Sequence, residues 1–257
     1  MKRILLRSVL LLALLLLVAG ILALVFLDSL VKKGVETIGP KVTQVAITLD
    51  AAHISLLSGH GALKGLTVGN PAGYHSPTAI KVGAVSVAVK PASVLANKVV
   101  IESIDVQAPE ITIEGGLKAN NLSAILANVQ AATASESQAP QPAPGKKGAG
   151  KKLEVDDFRI TGGQIHLSLS LMGGKTATLP LPDIHLTGLG QGADGITPAE
   201  LTEKVFAAVL QGATSTATEQ LGKLGGSAVD AAKDVGSNTV HSVQKITHGI
   251  GDLFKKK

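Results

Sequence analysis

The feature that most constrains this chain is a period-two alternation of apolar and small polar residues, which recurs between residues 41 and 189. Such alternation predicts a curved, mostly antiparallel β-sheet with one apolar face. It is clearest in Val82–Val89, Glu110–Glu114 and Gln164–Leu171. The apolar residues that we single out on these three strands are Val85, Val87, Val89, Ile111, Ile113, Leu167 and Leu169.

Two interpretations of this apolar face fit the alternation equally well. The sheet can pack its apolar face against a helix, or the face can be partly uncovered and accept acyl chains. In the second case the seven residues above are the candidate lipid-facing residues. Further strands are predicted at Val42–Leu49, Ile54–Leu57, Ala62–Val68, Val99–Val106, Val155–Thr161, Ala177–Leu181 and Ile184–Leu189.

The N-terminal region contains a long apolar segment, Ser8–Leu27, whose 20 residues include no charge. As a helix it would span about 30 Å, the thickness of a bilayer's hydrocarbon core. The alternative is a cleaved signal peptide, but the apolar sequence continues beyond the candidate cleavage site at Val18-Ala19-Gly20. We therefore predict an uncleaved transmembrane helix. Basic residues before the segment place the N-terminus in the cytoplasm and the bulk of the chain across the membrane.

Helices are predicted at three further places. Asn120 or Asn121 begins a short helix, and Thr197-Pro198-Ala199-Glu200 forms a capping box whose helix continues to Gly212. Apolar residues recur every eleven residues in Thr218–Phe254, which predicts an amphipathic helix that needs a surface to pack on. The fold class is therefore α+β. The predicted regions are an anchor at 1–33, a β-rich region at 34–130, a flexible linker at 131–152, a second β-rich part at 153–196 and amphipathic helices at 197–257.

Composition and motifs argue against several functional classes. The chain has no Cys and only 2% aromatic residues, which disfavours thiol chemistry, Cys-based metal sites and base-stacking platforms. Residues 1–33 carry most of the net charge of +5, so no nucleic-acid partner is predicted. The phosphate-loop-like run Gly145–Lys152 lacks the Ser or Thr that holds magnesium. Because neither the seven His residues nor Asp156 and Asp157 form a catalytic or metal-ligating pattern, we predict a non-enzymatic protein without a cofactor.

Several segments resemble one protein family. The string GHGALKGLTVGNPAGY at Gly59–Tyr74, followed by Ala79–Val89, is similar to the N-terminal region of AsmA-like proteins. The segment Val99–Val129 resembles the family's strand–turn–strand–helix repeat, and Phe158–Leu167 resembles a further unit. The resemblance implies a bacterial inner-membrane anchor, a β-rich periplasmic domain and a link to outer-membrane biogenesis and lipid traffic. It carries no catalytic residues over to this chain.

Two functions follow as hypotheses. The first is a single-pass inner-membrane protein, with its bulk in the periplasm, that supports envelope lipid homeostasis by binding acyl chains on the apolar sheet face. The second is a structural or scaffolding envelope protein whose C-terminal helix docks a partner or the membrane. The predicted partners are the membrane, through the N-terminal helix, a phospholipid and an envelope protein. A periplasmic hydrolase would need a His or carboxylate cluster that the sequence does not show.

Overall fold

The protein is described by a computed structural model that covers residues 26–55, 58–116, 118–138, 151–169 and 176–223. Over these residues it is an α+β structure with a ten-stranded open sheet and three helices. The helices are α1 (26–43), α2 (Asn121–Gln138) and α3 (Pro198–Lys223). The strands are β1 (Ile47–Thr48), β2 (Ala51–Ile54), β3 (His60–Val68), β4 (Ile80–Val89), β5 (Lys98–Gln107), β6 (Glu110–Gly115), β7 (Lys152–Thr161), β8 (Gln164–Leu169), β9 (Thr176–Pro180) and β10 (Ile184–Leu189).

Helix α1 runs antiparallel to β1 and β2 and covers that edge of the sheet. Asp28 Oδ1 accepts the Ile54 backbone N–H at 2.8 Å, and Glu36 Oε1 accepts the Leu49 N–H at 3.0 Å. Between them, Lys32 Nζ donates to the Asp50 carbonyl at 3.1 Å. These three side chains are four residues apart, so they lie on one helical face. They satisfy backbone groups that an edge strand would otherwise leave open to pairing with another chain.

This helix corrects one strand prediction. Val42–Leu49 is predicted as a strand, but α1 continues to residue 43 and only Ile47–Thr48 is β-structure. Val42 and Val45 are both buried, because the helix and the turn that follows it bring them to the core. Within the described residues no helix is long and apolar enough to cross a membrane. Residues 8–25 of the predicted span lie outside the described part of the chain, so the anchor stays a prediction.

The sheet is mixed, because two pairs of strands in its middle are parallel. β5 pairs with β7 and β6 with β8, and both pairs have partners 54 residues apart, as in Val99 with Leu153 and Ile111 with Ile165. All other pairs are antiparallel. Residues 98–115 and 152–169 therefore form an in-register repeat. The two predicted β-rich parts therefore belong to one sheet. α2 lies in the chain segment between β6 and β7, which connects the first copy of the repeat to the second.

A line of interruptions crosses the whole sheet and divides it into two halves. The pairing register is the same on both sides of this line. It places in a single row one residue of β3, one of β4 and one from each of the junctions β5–β6, β7–β8 and β9–β10: Gly65, Gly83, Ala108, Gly162 and Pro182. Gly65, Ala108 and Gly162 have φ values of 64°, 46° and 65°, which break the extended conformation. We call the part with β2, β5, β7 and β10 the β5 half, and the part with β1, β6, β8 and β9 the β6 half. Interruptions of this kind bend strands, so the sheet can bend along this row.

The two helices that follow the sheet strands are capped as their sequences predict. Asn120 Oδ1 accepts the Ser123 N–H at 2.8 Å, and Ser123 Oγ accepts the Asn120 N–H at 2.9 Å. Thr197 Oγ1 accepts the Glu200 N–H at 3.1 Å, and Glu200 Oε2 accepts the Thr197 N–H at 2.6 Å. These reciprocal pairs satisfy N–H groups that have no partner within a helix.

Both helices are longer than predicted. α3 passes through Gly212 and continues to Lys223, which includes the start of the predicted Thr218–Phe254 helix; the rest of that segment lies outside the described residues. α2 continues to Gln138, so the first eight residues of the predicted linker are helical. The segment 131–138 is rich in Ala, a strong helix former, which favours this extension.

Candidate functional site

The seven predicted lipid-facing residues lie on β4, β6 and β8, and the structure separates them into two groups. Val85, Ile111, Ile113 and Leu167 are buried in the hydrophobic core. Val87 and Val89 are partly exposed. Leu169 is the last residue of β8, and its side chain lies outside the described part of the structure. The apolar face is therefore closed at some positions and accessible at others.

The β6 half is closed because α2 and α3 cover it. α2 packs on β6 and on α3, and α3 packs on β9 and β10. The α2 side chains in this core are Leu122, Ile125 and Val129, whose spacing of three and four residues places them on one helical face. The packed-sheet interpretation therefore applies to Ile111, Ile113 and Leu167. An acyl chain could reach them only if the helices moved away.

The β5 half keeps a partly exposed apolar strip. Its members, which we call the β5-half strip, are Leu63, Val87, Val89, Ile101 and Ile104. The strand register places Leu63 beside Val85, and Val87 beside Ile104. The strip therefore runs from the buried core toward the end of the sheet where β4 ends and β5 begins.

Sequence reasoning singled out Val87 and Val89 but missed the strip's other members. Val89 pairs with Ile101, after a register shift between Ala88 and Val89. Ile101 and Ile104 lie three residues apart, so a period-two pattern does not place them on one face. A bulge accounts for this spacing, because its extra residue restores both side chains to the same face. The only sign of this bulge in the sequence was that the apolar residues of β5 do not alternate regularly.

The opposite face of the sheet is polar, and its His residues have local partners. His185 Nε2 lies 2.6 Å from Asp157 Oδ1, and His166 Nδ1 lies 3.0 Å from Thr178 Oγ1. Asp157 also pairs with Arg159. Among the described residues, no group of three or more His, Asp or Glu side chains is placed to hold a metal ion. Each of these His–partner pairs is a surface contact between neighbouring strands.

A buried polar network joins the β6 half to the loop between β3 and β4. Asn121 Nδ2 donates to Asn70 Oδ1 at 2.7 Å and to the Thr112 carbonyl at 2.8 Å, while Asn121 Oδ1 accepts the Glu114 N–H at 3.0 Å. Asn70 Nδ2 donates to the Ser76 carbonyl at 2.6 Å. Asn70, which belongs to the string GLTVGNPAGY, is thus part of this hydrogen-bond network. No local sequence pattern signals the roles of Asn70 and Glu114 in this network.

Glu114 holds the same loop through its carboxylate. Its oxygens accept the His75 N–H at 2.7 and 2.9 Å and the Ser76 N–H at 2.6 Å. Burial by itself would raise the pKa of Glu114. The hydrogen bonds from the Ser76 side chain and backbone and from His75 outweigh burial and lower this pKa from 4.5 to about 2. The ionised carboxylate therefore stabilises the folded loop.

This lowered pKa predicts how the free energy of unfolding depends on pH. The stabilisation is fully present above the unfolded pKa of 4.5 and is lost as the pH falls from there toward 2. We expect wild type to lose on the order of 2–3 kcal/mol in this window through Glu114. Glu114→Gln should be less stable at neutral pH and should lose less stability on acidification. Urea unfolding at a series of pH values measures both effects.

Glu110→Gln is the matched control, because it removes an exposed carboxylate from the start of the same strand. It should follow the wild-type profile closely. If the Glu114→Gln and Glu110→Gln profiles coincide between pH 4.5 and 2, Glu114 does not hold the loop through its charge.

The fold and its apolar face define a class of α+β proteins in which a mixed open sheet carries strand–turn–strand repeats and packs helices on one side. Within that class, this chain belongs to the AsmA family, whose model matches residues 1–172. Comparisons with curated proteins and with solved structures gave no match. Family membership confirms the resemblance, indicates a bacterial envelope protein and is consistent with an envelope- or lipid-related function.

Proposed function

We propose that this chain is a non-enzymatic, single-pass inner-membrane protein that supports lipid homeostasis of the bacterial envelope from the periplasm. Membership of the AsmA family supports an envelope role. The charge-free segment Ser8–Leu27 and the basic residues before it support the anchor and its orientation. Lipid binding is the activity that best fits the apolar face of the sheet.

The observation that carries this proposal is the partial exposure of the β5-half strip. Side chains on three adjacent strands, β3, β4 and β5, present a continuous apolar surface that the core does not fully bury. Burying hydrocarbon releases about 0.8 kcal/mol per methylene group, so an acyl chain that covers the whole strip would gain several kcal/mol. The buried residues Val85, Ile111, Ile113 and Leu167 would support the strip from the core below.

A charge placed within the strip should abolish lipid binding without unfolding the protein. Val87→Asp introduces a carboxylate where an acyl chain would lie, and desolvating that charge would be costly. We expect phospholipid adducts on the wild-type full chain, purified from a bacterial envelope in mild detergent, and their loss in Val87→Asp. Native mass spectrometry measures the adducts, and circular dichroism checks the fold.

Ser86→Asp is the matched control, because Ser86 is the neighbouring residue on the exposed polar face of the same strand. It should keep the adducts. Equal adducts on folded Val87→Asp and Ser86→Asp would contradict binding in the strip. A wild-type chain that carries no lipid would favour the scaffolding alternative.

A further inference from the structure

The turn that joins β4 to β5 projects a large apolar side chain into solvent. It spans residues 90–97, includes a 3-10 helix at Pro91–Ser93, and leaves Leu95 94% exposed. Isolated exposed apolar residues are common on protein surfaces. Leu95 differs from such residues in two ways: hydrogen bonds hold its turn in a fixed shape, and the turn lies near the start of the described part of α1.

Buried contacts hold the turn in shape. Ser93 is buried; its Oγ donates to the Lys90 carbonyl at 2.7 Å and accepts the Val100 N–H at 2.9 Å. Lys151 Nζ donates to the carbonyl of Val94, next to Leu95. Hydrogen bonds from Ser93, inside the turn, and from Lys151, just before β7, therefore hold the turn in place. Leu95 protrudes from an organised structure, so little conformational entropy would be lost if it bound a surface.

This turn lies at the end of the sheet where the described part of α1 begins. Asp28 contacts the Ile54 N–H at the end of β2, and the Val89 N–H at the end of β4 donates to the Gly59 carbonyl at 2.7 Å. A Cβ built on Gly59 would lie 3.1 Å from Pro91 in the turn. Near this end, α1 exposes two more large apolar side chains, Phe26 at 71% and Leu30 at 55%.

The strand register gives the height of the turn relative to α1. Asp28 is level with Ile54, because it accepts the Ile54 N–H. Ile54 pairs with Gly61 on β3, and Gly61 pairs with Val87 on β4. Val89 is two residues further along β4, or about 6.6 Å, and the turn extends beyond it. A helix rises about 1.5 Å per residue, so Phe26 lies about 3 Å beyond Asp28 in the same direction. The 90–97 turn and the exposed start of the described part of α1 therefore lie at the same end of the molecule.

The charge around the turn matches an anionic lipid surface. Lys90 and Lys151 are exposed at this end of the molecule. We propose that the 90–97 turn is a second membrane contact, in which Leu95 inserts between lipids while Lys90 and Lys151 face anionic headgroups. This contact rests on the membrane attachment proposed above. It would place the Val89 end of the β5-half strip against the bilayer, where a lipid could enter.

The absence of Cys makes a direct test possible, because Leu95→Cys creates the only thiol in the chain. The full-length variant, labelled with an environment-sensitive fluorophore, is reconstituted into vesicles of phosphatidylethanolamine and phosphatidylglycerol. We expect a blue-shifted emission that lipid-borne spin labels quench. Ala72→Cys, exposed in the loop at the opposite end of the sheet, is the matched control and should show neither effect.

Two further comparisons make the test decisive. Adding Lys90→Glu should reduce the quenching at position 95, as should replacing phosphatidylglycerol with a zwitterionic lipid. Flotation of the same samples reports whether the chain is attached to the vesicles at all. If the chain floats but the label at 95 resembles the label at 72, the second contact is overturned and the anchor stands. If the chain does not float, both are overturned.

Discussion

Replacing Ile111 with Asp is expected to unfold the protein. Ile111 is 1% exposed and pairs with Ile80 on β4 and with Ile165 on β8. A carboxylate there would be buried among apolar side chains without a partner, at a cost of several kcal/mol. That cost is comparable with the whole free energy of unfolding of an ordinary domain, about 5–15 kcal/mol. Circular dichroism of the full chain in detergent should show a loss of strand signal and of cooperative urea unfolding.

Val87→Asp is the informative contrast, because it places the same charge on the same sheet but in the partly exposed strip. This variant should fold and unfold cooperatively. If both variants unfolded to the same extent, the β5-half strip would be as closed as the β6 half. If both stayed folded, α2 and α3 would not hold the β6 half closed in solution.

Replacing Asn121 with Ala should be the most damaging single change in the polar network. Asn121 is fully buried at 0% exposure and makes three hydrogen bonds, to Asn70, Thr112 and Glu114. Truncation would leave these partners without that contact in the interior. Unsatisfied buried groups cost about 1–3 kcal/mol each, partly offset by relaxation, so we expect a loss of about 2–4 kcal/mol. Chemical denaturation measures this loss as a lower urea midpoint.

Asn128→Ala is the matched control on the same helix. Its Nδ2 makes a single hydrogen bond, to the Thr43 carbonyl at 3.0 Å, and the residue is only partly buried. Its loss should cost about 1 kcal/mol. Equal midpoints for the two variants would show that the Asn70–Asn121–Glu114 network adds no more than one ordinary contact.

Much of the secondary structure could be predicted from local patterns. Strands β3 to β10 fall within or close to the segments predicted as strands, and both predicted capping sites begin helices. Asn121 shows the limit of that reasoning. Asn120 and Asn121 are equally plausible caps by residue type, yet only Asn120 makes the capping pair with Ser123, while Asn121 turns to the sheet. The choice depends on where β6 lies, which local sequence does not encode.

The resemblance indicated a repeated unit, but its register and its parallel pairing were beyond sequence reasoning. Residues 99–116 and 153–170 share a pattern of apolar positions but few identical residues, so a search for similar strings does not find the 54-residue offset. The offset became visible when the strands were paired. The same register revealed the row from Gly65 to Pro182, whose members lie far apart in sequence.

By itself, the sequence determined the apolar alternation, the capping boxes and the charge-free N-terminal segment, because each depends on residues close together along the chain. The tertiary structure alone decided which strands pair and which part of the apolar face is covered. An alternating strand looks the same whether a helix packs on it or not. The packing of α2 and α3, set by contacts between distant segments, buries Ile111 and leaves Val87 accessible.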